Sequence, residues 1–189
     1  MKKLLITLLL FSLLPAGAAA TTIGLDFNDD SAEFRLDLPL RQDHYGRAVF
    51  GARFLYNEDE DTEMIGAELK FLGDPGAVPG LEVGAGFIGY YGEAHETFDF
   101  GNVGVGLLAN YAPATLRGLG LSTRVVYSPD IFSWQDSDGL LEFNLRAGYA
   151  ITPLVKVYVG YQGIEGEVDG IDRDVDIDED VRVGLEVRF

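Results

Sequence analysis

The sequence predicts an all-β fold: a transmembrane, antiparallel, up-and-down barrel of ten strands, or eight if the first two segments do not pair in full. Three features of the chain point there. Segment after segment alternates apolar and polar residues with period two, as strands do when successive side chains face opposite sides. The connections alternate between acidic loops and proline-bearing turns. An aromatic residue stands at nearly every segment end, where a bilayer's headgroups would lie.

Met1 to Ala20 reads as a secretory signal, with Lys2 and Lys3 as the positive start, Leu4 to Leu14 as the apolar run and Ala18-Ala19-Ala20 as the cleavage site. That run is far shorter than the roughly 20 residues of a spanning helix. Residues 21–189 then form a single barrel domain. With 31 acidic residues against 14 basic ones, nucleic acid is excluded as a partner. The chain has no cysteine, which excludes disulfides and thiolate chemistry. Its 24 glycines suit strands that must curve.

In chain order, Thr22 to Asn28 sends Ile23, Leu25 and Phe27 outward. Ala32 to Leu38 sends Phe34, Leu36 and Leu38 outward, with Glu33, Arg35 and Asp37 inward. Arg47 to Tyr56 presents Phe50, Phe54 and Tyr56, and Glu63 to Leu72 presents Ile65, Leu69 and Phe71. Leu81 to Tyr91 and Asn102 to Ala112 place glycine inward, at Gly84, Gly86, Gly104 and Gly106. Gly118 to Tyr127, Leu140 to Ile151 and Leu154 to Ile164 follow. In the last segment Val181, Val183, Leu185, Val187 and Phe189 share one face, with Arg182, Gly184, Glu186 and Arg188 on the other. On register alone, Val183→Arg should block assembly and Gly184→Ser should be tolerated. This ending resembles the C-terminal strand of bacterial outer-membrane barrels, which implies the outer-membrane assembly machinery as a partner.

Asn28 to Ser31, Asn57 to Thr62, Gly92 to Thr97, Ser128 to Gly139 and Glu165 to Asp180 are acidic connections, expected outside the cell. Pro39 to Gly46, Gly73 to Gly80, Pro113 to Arg117 and Thr152-Pro153 carry proline and few acids, as periplasmic turns would. Phe27, Tyr56, Tyr91, Tyr127 and Tyr161 would form the outer aromatic girdle, and Phe71, Tyr111, Tyr149 and Phe189 the periplasmic one. The inward register is charged with both signs. Arg35, Arg47, Arg53, Lys70, Arg124, Arg146, Lys156, Arg182 and Arg188 line the lumen with Asp26, Glu33, Asp37, Glu68, Glu82, Glu142 and Glu186. A dry soluble core could not hold such a set, whereas a wet or salt-bridged lumen can.

By its size, signal, barrel pattern, inward Gly/Arg/Glu register and terminal Phe189, the mature chain resembles the YfaZ family of Gram-negative outer-membrane proteins. The resemblance implies an outer-membrane location, contact with membrane lipid and lipopolysaccharide, and a porin-like description without a substrate.

Little in the chain suggests catalysis. His44 lies in a turn and His95 in an acidic loop, with no recognisable nucleophile beside either, so no enzyme is expected. Asp169-Gly170 is a strong type I′ hairpin signal. Counting from Val181, strict alternation would put Asp172, Asp174, Asp176, Asp178 and Asp180 on one lumen-side face, where Ca²⁺ or Mg²⁺ could gather loosely. No other cofactor is expected. Trp134, with Ile131 and Phe132, would rest either on lipid headgroups or in the barrel mouth. Two functions fit the whole, a porin-like barrel as the reading and a sealed one as its alternative. One is a narrow pore for small polar solutes or ions, helped by the space at inward glycines. The other is a sealed structural or surface-interaction barrel, and a continuous path past Arg53, Arg124, Arg146 and Glu142 is what divides them.

Overall fold

A computed structural model of the chain describes residues 21–44, 46–95, 97–168 and 174–189. The expected signal at 1–20, the Asp169-Gly170 turn and Asp172 lie outside the described residues. The strands are β1 (Thr22–Phe27), β2 (Ser31–Gln42), β3 (Arg47–Asn57), β4 (Thr62–Gly73), β5 (Leu81–Ala94), β6 (Phe98–Tyr111), β7 (Leu119–Ser128), β8 (Ser133–Gln135), β9 (Ser137–Thr152), β10 (Val155–Val168) and β11 (Asp174–Arg188). Neighbours in sequence pair antiparallel around a ring that β1 and β11 close. Ten strands make the wall, and the short β8 sits on β6 beyond the end of β7. Closure leaves the ten-strand wall without a free edge among the described residues, as a membrane requires. The eight-strand alternative fails because β1 pairs along its length with both β2 and β11.

Several strands outrun the segments legible in the sequence. β2 continues through Pro39 to Gln42, with a register shift between Pro39 and Arg41 where proline offers no N–H to the ladder. β9, β10 and β11 extend past the apolar band as paired ribbons at the long-loop end. Lipid-facing alternation marks only the part of a strand that meets lipid, so these extensions carry no such signal.

The outer face is apolar to a degree that water would not tolerate. Leu107 is 65% exposed and Phe87 60%, within a continuous belt that includes Phe34, Phe54, Ile65, Val103 and Val183. The girdle aromatics all point outward from this belt. At the long-loop end Phe27 and Tyr56 flank Ala32 in one cross-strand row. Tyr91, Tyr127 and Tyr161 are exposed at the same end, and Phe71, Tyr111, Tyr149 and Phe189 at the other.

Inside, the barrel is layered along its axis. Leu55, Met64, Ile88, Phe98, Phe100, Leu140, Ile164 and Ile177 form a fully buried apolar layer in the long-loop half. A buried charged layer lies below it, and a cavity occupies the short-turn half. Ten strands are near the number whose interior side chains can fill. Several inward glycines do not leave that interior open, because long side chains lie across them. A Cβ at Gly66 would meet Arg53, and one at Gly51 would meet Glu68, its cross-strand partner. Gly184 corrects an expectation: Asp26 and Tyr158 occupy the space that a serine there would need.

Val183→Arg places a charge on lipid at a cost of about 2–4 kcal/mol near the bilayer midplane. Refolded Val183→Arg should lose the heat-modifiable band of a folded barrel on a gel, whereas Glu186→Gln, on the lumen side of the same strand, should keep it.

Candidate functional site

Glu142 of β9 is the centre of the interior. Its carboxylate is fully buried and accepts hydrogen bonds from Arg53 Nη1 (2.9 Å), from Arg124 and from the Tyr90 hydroxyl. Arg53 donates its other terminal nitrogen to Glu33 at 2.6 Å, and Gln162 Nε2 donates to the same Glu33 oxygen at 3.1 Å. Arg124 reaches Glu68 at 3.0 Å, and Lys70 joins Glu68 to Asp37, 2.8 Å away. A second cluster holds Asp26 between Arg35 (3.0 Å), Arg146 (3.1 Å) and the Tyr158 hydroxyl. The guanidiniums also stack on phenol rings, Arg53 5.7 Å from the Tyr90 centroid and Arg146 5.3 Å from that of Tyr158. These partners come from eight strands across the lumen, so the network ties opposite walls together.

Below it, a cavity of about 380 Å³ reaches the short-turn end. Arg35, Arg47, Arg53, Glu68, Lys70, Glu82, Arg124, Arg146, Lys156, Glu186 and Arg188 all line it. Arg47 pairs with Glu82 at 2.8 Å and Lys156 with Glu186 at 3.5 Å. Glu142 and Arg182 lie elsewhere, Glu142 behind the two arginines and Arg182 nearer the loops. Expected lumen-lining residues therefore share one interior: Arg53, Glu142 and Glu33 are buried across its middle, and the apolar layer lies above them.

The acidic row does not form as strict alternation predicts. Ile164 pairs with Asp178 and Glu165 with Asp176, so Ile177 is an extra residue in a β-bulge. Ile177 and Asp178 consequently both face inward and are fully buried. Above the bulge the parity is reversed: Val175 is half-buried while Asp174 and Asp176 are exposed on the opposite face. Asp178 bonds Arg182, Asn57 (2.9 Å) and Gln162 (2.9 Å), and Asp180 bonds Arg182 at 3.1 Å and Ser31 at 2.8 Å. Two of the five aspartates are thus neutralised by an arginine, and two point away. Among the described residues no group of His, Asp and Glu is placed to hold a metal.

His95 Nε2 lies 3.1 Å from the Glu60 carboxylate and 2.9 Å from the Asp176 carbonyl. It clips two loops to β11, and neither partner is a nucleophile. Burial, with the neighbouring Asp176, holds the Glu60 carboxyl above its ordinary pKa, and the nearby His95 offsets only part of that rise.

Sequence reasoning missed Tyr90, Tyr158, Gln162 and Asn57, as well as the apolar plug. All but the residues beyond the bulge stand at inward parity, so a strict count from Tyr91 or Tyr161 would have turned Tyr90 and Tyr158 inward.

The family described as YfaZ precursor matches residues 1–189. The chain belongs to the YfaZ family. Among solved structures, this YfaZ-family barrel is similar to the NanC porin, at 10% identity and a TM-score of 0.50 over 91% of this chain and 99% of that one. The KdgM porin matches at 14% identity and a TM-score of 0.45, covering 90% and 99% of the two chains. The outer membrane channel DcaP of Acinetobacter baumannii matches at 9% and 0.46, covering 89% of this chain and 62% of that one. No curated protein matches its sequence. The YfaZ-family chain thus has a porin-like, outer-membrane type of barrel fold.

Truncating Glu142 leaves Arg53 and Arg124 buried without their shared counter-charge, which typically costs about 3–5 kcal/mol. Glu142→Ala should lower the urea midpoint of the refolded barrel strongly, while Glu186→Ala, whose partner Lys156 is part-exposed, should shift it little.

Proposed function

We propose that this YfaZ-family protein is a sealed outer-membrane barrel of a Gram-negative cell, with its acidic loops outside and its charged cavity facing the periplasm. The observation that carries this reading is the buried Glu142–Arg53–Arg124 network beneath a continuous apolar layer. Ions cross a pore by exchanging water for pore-lining groups, and here those groups are already engaged with one another. The signal expected at 1–20 and the Phe189 that follows β11 fit delivery to the outer-membrane assembly machinery. The acidic loops fit contact with divalent cations that bridge lipopolysaccharide phosphates, through Asp174 and Asp176 on the exposed face rather than through a lumen-side row. No enzymatic activity is proposed.

Passage of small polar solutes is the second reading. It is favoured by the cavity, which already opens the short-turn half of the lumen, and it requires both the network and the apolar layer above it to separate.

Planar-bilayer recording divides the two. The wild-type barrel should give no steady unitary current, and a triple variant that also opens the apolar layer, Arg53→Ala/Glu142→Ala/Phe100→Ala, should leak. A stable, ion-selective wild-type conductance that changes with Arg124→Ala would establish the pore instead. Orientation is tested separately with single cysteines in a chain that has none. An impermeant thiol reagent should label Asp59→Cys on intact cells and Asp74→Cys only after lysis; the reverse pattern inverts the topology.

A further inference from the structure

The segment between β7 and β9 is built to lie against the membrane. β7 leaves β6 after Tyr127 pairs with Val105, and the chain returns to the same edge of β6 when Ser133 pairs with Asn102. Between them a 3-10 turn, Asp130–Phe132, buckles away from the wall after Pro129. Ile131 at its tip is 79% exposed and Phe132 is 54% exposed. The turn is braced rather than loose. Phe132 N donates to Pro129 O at 2.9 Å, Ser133 Oγ to Pro129 O at 3.1 Å, and Asn102 Nδ2 to Ser133 Oγ at 2.8 Å.

Trp134 shows which way the segment faces. It pairs with Gly101, which itself pairs with Tyr91 of the aromatic girdle. Its indole covers the spot where a side chain at Gly101 would stand. Tyr91, Gly101 and Trp134 therefore form one outward row, and the indole fills the place in the girdle where β6 offers no side chain. Gln135 Nε2 donates to the Tyr91 hydroxyl at 3.4 Å, joining the two further. The barrel mouth, in contrast, is occupied by Phe98, Phe100 and Leu140, so the segment has not folded inward.

We infer that Ile131, Phe132 and Trp134 form a lipid anchor: a preformed apolar finger that continues the girdle into the headgroup–acyl boundary at the long-loop end. Its occupant is membrane lipid, because the row is continuous with the lipid-facing belt and because indole and apolar tips favour that depth. This rests on the membrane-spanning fold and not on whether the lumen is sealed.

Trp134 is the only tryptophan of the chain, so its fluorescence reports this site alone. The mature barrel is refolded into phosphatidylcholine vesicles containing lipids brominated at shallow or deep acyl positions, with folding read independently by heat-modifiable mobility. The expected result is blue-shifted emission, stronger quenching by shallow than by deep bromines, and protection from aqueous iodide. Ile131→Asp/Phe132→Asp, which leaves the wall untouched, should fold and lose most of the shallow quenching. Water-like, iodide-quenched emission from a folded barrel would overturn the anchor without touching the sealed-barrel reading. So would unchanged quenching in the double variant, and so would a blue shift that bromines do not quench and that fades as the lipid-to-protein ratio rises, which would mark a second copy as the occupant.

Discussion

One carboxylate, that of Glu142, holds the interior together. It is fully buried and shared by two guanidiniums and a phenol from three other strands. Moving ions from water into such a space is costly, so the group persists only because each charge meets its counterpart in good geometry. Glu33 and Glu68 extend the same logic outward, each serving an arginine already bound to Glu142. Because the partners are spread around the ring, the network favours one register of the closed wall over its slipped alternatives. A slip by one residue would turn every one of these charges toward lipid.

Above the network the barrel holds a second buried layer, and this one is apolar. Its residues have the same chemistry as those on the outer belt, yet they face the axis. Membrane barrels are usually described as apolar outside and polar inside, and here the upper lumen adds a buried apolar layer beside the Asp178–Arg182 group. In the long-loop half, where the paired strands rise past the girdle, the interior has become a small hydrophobic core resembling that of a soluble sandwich. The change of character matches the change of surroundings, since the outer face there meets water and carries Asp174, Asp176 and Glu179.

The wall was legible because lipid imposes a strict rule on every second residue, and ten segments obey it. The parity of the charged residues also followed, so Arg53, Arg124, Arg146 and Glu142 were assigned together. What remained hidden was how they pair, since long side chains reach several residues along the axis and alternation says nothing about reach. Inward glycines such as Gly104 suggested space, and only the structure shows Val126 standing beside it, with Glu68 and Arg53 lying over Gly51 and Gly66 in the same way. The acidic row failed for another reason. Counting assumes an unbroken ladder, and the single extra residue Ile177 leaves no mark in composition or periodicity.

That bulge separates the protein into two regimes of sequence change. Below it, every residue of β11 answers to the membrane and to the lumen at once, and a one-residue insertion would exchange the two. Above it the ribbon of β10 and β11 is already out of phase with the wall. Insertions and deletions there alter a ribbon in water without being transmitted to the lipid-facing register. The tip of that ribbon can therefore change in length or sequence while the wall beneath keeps its register.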